Sequence, residues 1–184
     1  MNVGTKIGCG LGLAVAALIL AGIASYRTTA RLIETSHWVE HTHHVLGELE
    51  RVLGALRDAE TGERGYLITG MDRYLEPYAR AAEQLTAGLN GVRTLTADNP
   101  HQQRRLLTLE YLAAQRLSCS KEQIELRRER GLEAASQAVM TGRGKNLMDQ
   151  IRILIGDMME MENGLLARRS LEEADSSRRA ASAM

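Results

Sequence analysis

Glu60 and Glu63 stand three residues apart beside Arg64, inside the run Asp58 to Gly70, DAETGERGYLITG. On a helix, Glu60 and Arg64 are at i and i+4 with the acid first, the favoured order for an ion pair. Such a group can be a buried structural network with every carboxylate oxygen satisfied, or it can bind a charged ligand or switch a dimer contact. Two carboxylates can also share acid–base catalysis, but that requires a substrate cavity, and the end of a slim bundle offers little concavity. No nucleophile–base pair, cofactor fingerprint or convincing metal set accompanies them, so neither an enzyme nor a cofactor is expected. The group leads into Thr69-Gly70, and a second Thr141-Gly142 leads into Arg143 and Lys145. Gly142-Arg143-Gly144-Lys145 lacks the earlier Gly and the following Ser or Thr of a phosphate loop, and no strand precedes it. A glycine-rich helix start is the plain reading, and an anion resting on its amides the weaker one. The candidates for a ligand site or polar network are therefore Glu60, Glu63, Arg64, Thr69 and Gly70 on the first tip. Thr141, Gly142, Arg143 and Lys145 are their counterparts on the second.

His37, His41 and His44 lie at i, i+4 and i+7, so one helix face carries all three. Two such histidines can ligate zinc, which makes them weak metal candidates. A solvated face close to a membrane surface, with Trp38 near the interface, explains them more simply. The methionines of the last helix read as core filler.

The elements that position these residues are helices. Leu46, Leu49, Leu53 and Leu56 mark an apolar stripe at alternating 3 and 4 spacing, which Glu60 and Glu63 interrupt and Leu67 resumes, and the first helix runs through Val45, Leu49, Val52 and Leu56 to the same break. Broken patterns of this kind tend to mark functional or strained sites. A second helix is expected after Gly70, capped by Asp72, with Leu75, Tyr78, Ala82, Leu85, Leu89 and Val92 on its seam. The third has the clearest start: Asn99 caps, Pro100 takes the first helical position, and Gln102 can reach back as a capping-box partner. Leu106, Leu109, Ala113, Leu117 and Ile124 follow, and Gly131 is the expected break. The fourth carries Leu147, Ile151, Leu154, Met158, Met161 and Leu165, widened by Met148, Ile155 and Met159. The Thr-Gly pairs are 72 residues apart, and Tyr66–Gly70 resembles Ala138–Gly142 in outline, the pattern of an internal duplication. Two helical hairpins with their tips at one distal end make an antiparallel four-helix bundle.

Composition agrees with this all-α class. There is no Phe, one Trp and two Pro, and no alternating β-branched run. Lys plus Arg and Asp plus Glu both number 23, so a nucleic-acid partner is not expected. Cys9 and Cys119 are too far apart in kind and place to form a framework disulfide. Ile7 to Tyr26 has no charged residue, and at 1.5 Å per residue it spans about 30 Å, the thickness of a bilayer's hydrocarbon. It is longer than a signal-peptide core, although Gly22-Ile23-Ala24 offers a small-x-small site. A retained anchor is the expectation. Lys6 before the span and Arg27 and Arg31 after it leave its orientation undecided by charge. The organisation read is a cytoplasmic stretch 1–6, a transmembrane helix 7–26, a bundle 27–173 and a polar, fraying tail 174–184.

The run Asp58–Gly70, continued by MDRYLEPY to Tyr78, resembles the signature of the type-3 CHASE domain. Ala97-Asp98-Asn99-Pro100, Gly131 to Ala135, TGRGKNLMDQIR from Thr141 to Arg152, and Glu162 with Leu165, Leu166 and Arg169 resemble later parts of that family, in its order. The resemblance covers roughly Arg27 to Arg169. It implies an extracytoplasmic sensory domain of a bacterial receptor, such as a two-component histidine kinase. It also implies a cytoplasmic N-terminus, a single-pass chain in the inner membrane and a periplasmic or extracellular bulk. An unknown small ligand, and a homodimer or partner receptor chain, are the expected companions. The chain stops at Met184, about where a receptor's second span would begin, so no output module is expected within it. The competing reading is a structural or scaffolding membrane bundle without a ligand; a polar pocket at the tip would favour sensing, and a fully packed tip would favour scaffolding.

Overall fold

The computed structural model describes residues 3–182 and is helical, without strands among them. Helix α1 is Val3–Thr69, a 3-10 turn covers Asp72–Leu75, and α2 (Glu76–Leu95), α3 (Pro100–Met140) and α4 (Arg143–Ser182) follow. The chain divides into two compact units, Met1–Glu40 and His41–Met184. In the first, Val15, Leu18, Ile19, Leu20 and Ile23 are exposed. Much of the expected span Ile7–Tyr26 falls on side chains outside the described residues. Among the described residues no helix is long and apolar enough to cross a membrane.

The second unit holds the bundle. Its part of α1 buries Val45, Leu49, Val52, Leu56, Ala59, Glu63 and Tyr66. That spacing alternates 4 and 3, the repeat that keeps one seam facing a partner helix. The seam runs one step beside the leucine stripe, with Leu46 and Leu53 only half-buried on its flank. Smaller Val and Ala fill the centre because the helix approaches its neighbours closely there. An added Cβ on Gly88 of α2 would fall 2.9 Å from Val52 Cγ2 and 3.5 Å from the Glu48 carbonyl oxygen. The same one-step shift recurs elsewhere. On α4, Met148, Ile151, Ile155, Met158 and Glu162 are buried, whereas Leu147, Leu154 and Met161 flank them. On α2, Ala81 is buried and Ala82 exposed.

The helix ends follow local chemistry, with two corrections. Asn99 Oδ1 accepts from the backbone N–H of His101 (3.1 Å) and Gln102 (3.2 Å), as a cap should. The Gln102 side chain does not complete a capping box; it is fully buried and donates to the Met158 carbonyl (2.9 Å) and to Glu162 Oε1 (2.7 Å). Asp72 does not cap α2, which begins at Glu76 without a side-chain cap. Asp72 accepts from Arg128 instead (3.2 Å). Gly131 breaks α3 as expected, with φ +83° and ψ −173°. Helical geometry continues through Ser182, into the stretch from Ala174 expected to fray.

One apolar core joins Val45–Leu56 of α1 to Leu85 and Val92, Leu106–Ala113, and Met148–Met158. A smaller cluster of Tyr66, Leu67, Ile124 and Ala135, with Leu75 and Tyr78 against it, closes the Thr-Gly end. A polar layer lies between the two.

Candidate functional site

The two Thr-Gly pairs close their helices in the same way. Gly70 and Gly142 have φ +70° and +71°, a left-handed conformation that costs glycine nothing. Thr69 Oγ1 donates to the Gly65 carbonyl (2.7 Å) and accepts from the Met71 N–H (3.2 Å). Thr141 Oγ1 donates to the Ala138 carbonyl (2.7 Å) and accepts from the Arg143 N–H (3.3 Å). The tips are not level. Gly70 abuts the Arg127 guanidinium, whereas Gly144 faces Cys119 and Arg116, eight and eleven residues earlier on α3, or about 12 to 17 Å. The break at Gly131 lies beyond both contacts on α3. From there the chain returns through Ala135, packed in the tip cluster, to the start of α4.

Glu63 forms the layer between the two apolar clusters. Its Oε2 accepts from Arg116 Nη2 (2.9 Å) and from Ser120 Oγ (2.6 Å), and Arg116 Nη1 donates to Ser120 Oγ. The Glu63 and Arg116 side chains are 6% and 5% exposed, so this is a buried ion pair. Arg116 Nε is buried with no hydrogen-bond partner. Glu60 is not part of this layer. It is a quarter exposed, accepts from Arg64 Nη2 at 2.9 Å, and lies 3.9 Å from Arg152 of α4. Arg64 is largely solvated. The expectation that both carboxylates face the core beside Arg64 is thus corrected: their 3-residue spacing spreads them across the seam, and only Glu63 is on its centre.

Above this layer lies a cavity of about 420 Å³ between α1, α3 and α4. Arg116 and Gln123 line it from α3, Leu67 and Val139 form apolar wall, and Arg64, Lys145 and Arg152 surround it with Glu60 and Glu63. Of the sequence candidates, Glu60, Glu63, Arg64 and Lys145 meet here. Thr69, Gly70, Thr141 and Gly142 shape the tips and do not line it. Arg143 turns to α3, donating to Glu122 (2.9 Å) and Gln115 (3.4 Å). Lys145 donates to Asp149 (2.5 Å), as does Arg152 (2.8 Å). The hydrogen bond from Lys145 holds the Asp149 carboxyl below its ordinary range. Burial pushes the Cys119 thiol and the Tyr78 phenol above theirs, and the Glu63 charge adds to both.

Sequence reasoning missed Arg116, Ser120 and Gln123. The signal was present: 102, 106, 109, 113, 116, 120 and 123 continue one 4-and-3 seam, and all are buried. Leu117 and Ile124, the apolar residues there, each lie one position beside this seam. The Gln102–Glu162 contact is a second buried polar layer at the opposite end of the core, beside a cavity of about 240 Å³. A wider depression of about 690 Å³ nearby is bounded by Arg105 and Arg168 against Asp157 and Glu160. His41 is half-buried at that end, and His37 and His44 are exposed. The His37 ring is tilted against Trp38, with centroids 5.6 Å apart. Among the described residues no group of three or more His, Cys, Asp or Glu could hold a metal ion.

A helical bundle with buried ionic layers and a polar cavity at its looped end has relatives. The CHASE3 domain family matches residues 35–172. The crystal structure of the sensor domain of a Rhodopseudomonas palustris histidine kinase is similar, with a TM-score of 0.63 and 30% sequence identity. The similarity covers 67% of this chain and 97% of that one. No curated protein sequence matches. The chain belongs to the CHASE3 family of sensory domains.

Proposed function

We propose that this chain is the membrane-anchored, extracytoplasmic sensory part of a bacterial receptor of the histidine-kinase kind, held in the inner membrane by residues 7–26. The observation that carries the reading is the polar cavity at the Thr-Gly end of a CHASE3 bundle. A scaffold selected only for packing has no reason to keep cations and carboxylates around an open space there. The similar Rhodopseudomonas palustris domain, a histidine kinase sensor, supports the receptor class. The exposed apolar side chains from Val15 to Ile23 support the anchor, because such a surface is costly in water. A second copy of the chain, or a partner receptor chain, is the expected companion.

The test is topology. The full chain, produced in a bacterium, should stay with the inner membrane through an alkaline wash. Protease added to spheroplasts should digest the bundle. A chain found in the cytosol, or one digested only after the inner membrane is broken, would overturn the reading.

A further inference from the structure

We infer that the cavity at the Thr-Gly end is a receptor site for a small organic carboxylate with a modest apolar body, and that binding ties α1 to α4. The inference rests on the sensory reading above and names the ligand class for that site.

Charge gives the sign. Four cations line the cavity, Arg64, Arg116, Lys145 and Arg152, against two carboxylates, Glu60 and Glu63. Glu63 is committed to Arg116 and Ser120 in the buried layer, which leaves Glu60 as the only lining carboxylate near the solvent-facing cations. Arg116 contributes a second sign of an unfilled site, since its buried Nε–H has no partner. Gln123, 5% exposed, gives its amide N–H only the Cys119 sulfur, at 3.6 Å. Both side chains line the cavity, so its floor is polar and incompletely satisfied. Leu67 and Val139 supply the apolar wall. The volume, about 420 Å³, suits a small metabolite and is too small for a peptide. The wide depression at the other end, with two cations against two carboxylates, has no such preference.

The present pairing of the cations says what binding would change. Arg64 is paired within α1 with Glu60, and Lys145 and Arg152 share the single carboxylate of Asp149 within α4. The one link across this rim is Glu60 to Arg152, at 3.9 Å. A carboxylate between Arg64 and Arg152 replaces pairs inside each helix with a bridge between them. Arginine forks favour this two-point contact with a carboxylate. The ligand thereby couples the helix that enters the bundle to the helix that leaves it.

The test is calorimetric titration of the full chain in detergent with benzoate, acetate and the neutral isostere benzamide. Benzoate should bind about tenfold more tightly than acetate because its ring meets Leu67 and Val139, and benzamide should not bind. Arg152→Gln should weaken benzoate about ten- to a hundredfold, the loss expected of a charge-assisted contact. Glu60→Gln should tighten it, because it removes the internal competitor for both arginines. Arg143→Gln, outside the cavity, should leave it unchanged. Helical circular dichroism checks that each variant is folded, and all three positions are at the surface or only partly covered. No heat and no thermal shift with benzoate at millimolar concentrations would overturn the proposal, as would affinities indifferent to both Arg152→Gln and Glu60→Gln. Such a result leaves the sensory reading intact, which fails instead on the topology experiment.

Discussion

At the scale of single residues, the buried pair Glu63–Arg116 and the surface pair Glu60–Arg64 make opposite demands. Removing Glu63 leaves the Arg116 guanidinium buried without its counter-charge, so Glu63→Ala is expected to cost about 3–5 kcal/mol. Glu60→Ala exposes Arg64 to water it already meets, and should cost within about 1 kcal/mol. Chemical denaturation of the two variants checks the contrast; equal losses would mean that the layer carries no special weight. Replacing Glu63 and Arg116 together with methionine should cost much less than Glu63→Ala alone, because no charge is then stranded. Cys119 provides a pH test. Burial, the largest cause, raises its thiol above the ordinary value of 9.0, and Tyr78 is likewise raised above 10.0. A group with a raised folded pKa stabilises fully below its unfolded pKa and loses that contribution as pH rises through the folded one. The bundle should therefore weaken in alkali, above the ordinary thiol range. With Cys9 changed to Ser, iodoacetamide should modify Cys119 slowly at neutral pH. Rapid modification at neutral pH would show an accessible thiolate and contradict the burial.

At the scale of elements, the break in α3 sets the tip. Gly131 sits at φ +83°, ψ −173°, a region open essentially to glycine alone, while nothing lies within 4 Å of where a Cβ would be. Any cost of Gly131→Ala is thus backbone strain, of about 1–3 kcal/mol. Gly156, exposed in the middle of α4, also has nothing within 4 Å, but is helical. Gly156→Ala should stabilise by up to about 1 kcal/mol through helix propensity. Thermal or urea unfolding of the two variants should move in opposite directions. A neutral Gly131→Ala would mean that the helix can run straight through.

At the scale of the whole molecule, the two parts of the proposal can be separated. The bundle has its own apolar core and lies in the unit from His41 onward. A chain beginning at Arg27 should be recovered soluble and helical, and should keep the benzoate response. Recovery in the membrane fraction would show that residues 7–26 are not the anchor. Light scattering of the same protein reports whether copies pair.

The helices and several of their ends were legible in the amino-acid order alone, although the cap of α2 was not. Apolar period, the Asn99-Pro100 start, Gly131 and the Thr-Gly stops are local signals, and each acts through the few residues around it. The amino-acid order also marked Glu60 and Glu63 alike as out of place, and the family resemblance was legible from motifs spread over most of the chain. Which carboxylate is buried, and what meets it, follows from how the helices pack. Glu63 and Arg116 are 53 residues apart, and Gln102 and Glu162 are 60 apart. Periodicity says that a helix has a face, but not which residue of another helix that face will meet. The row of Leu46 and Leu53 and the row of Val45 and Val52 are both legible as apolar, and packing makes the second the centre of the seam. At Gly88 of α2 an added Cβ would fall 2.9 Å from Val52 Cγ2, a close approach that no single helix contains.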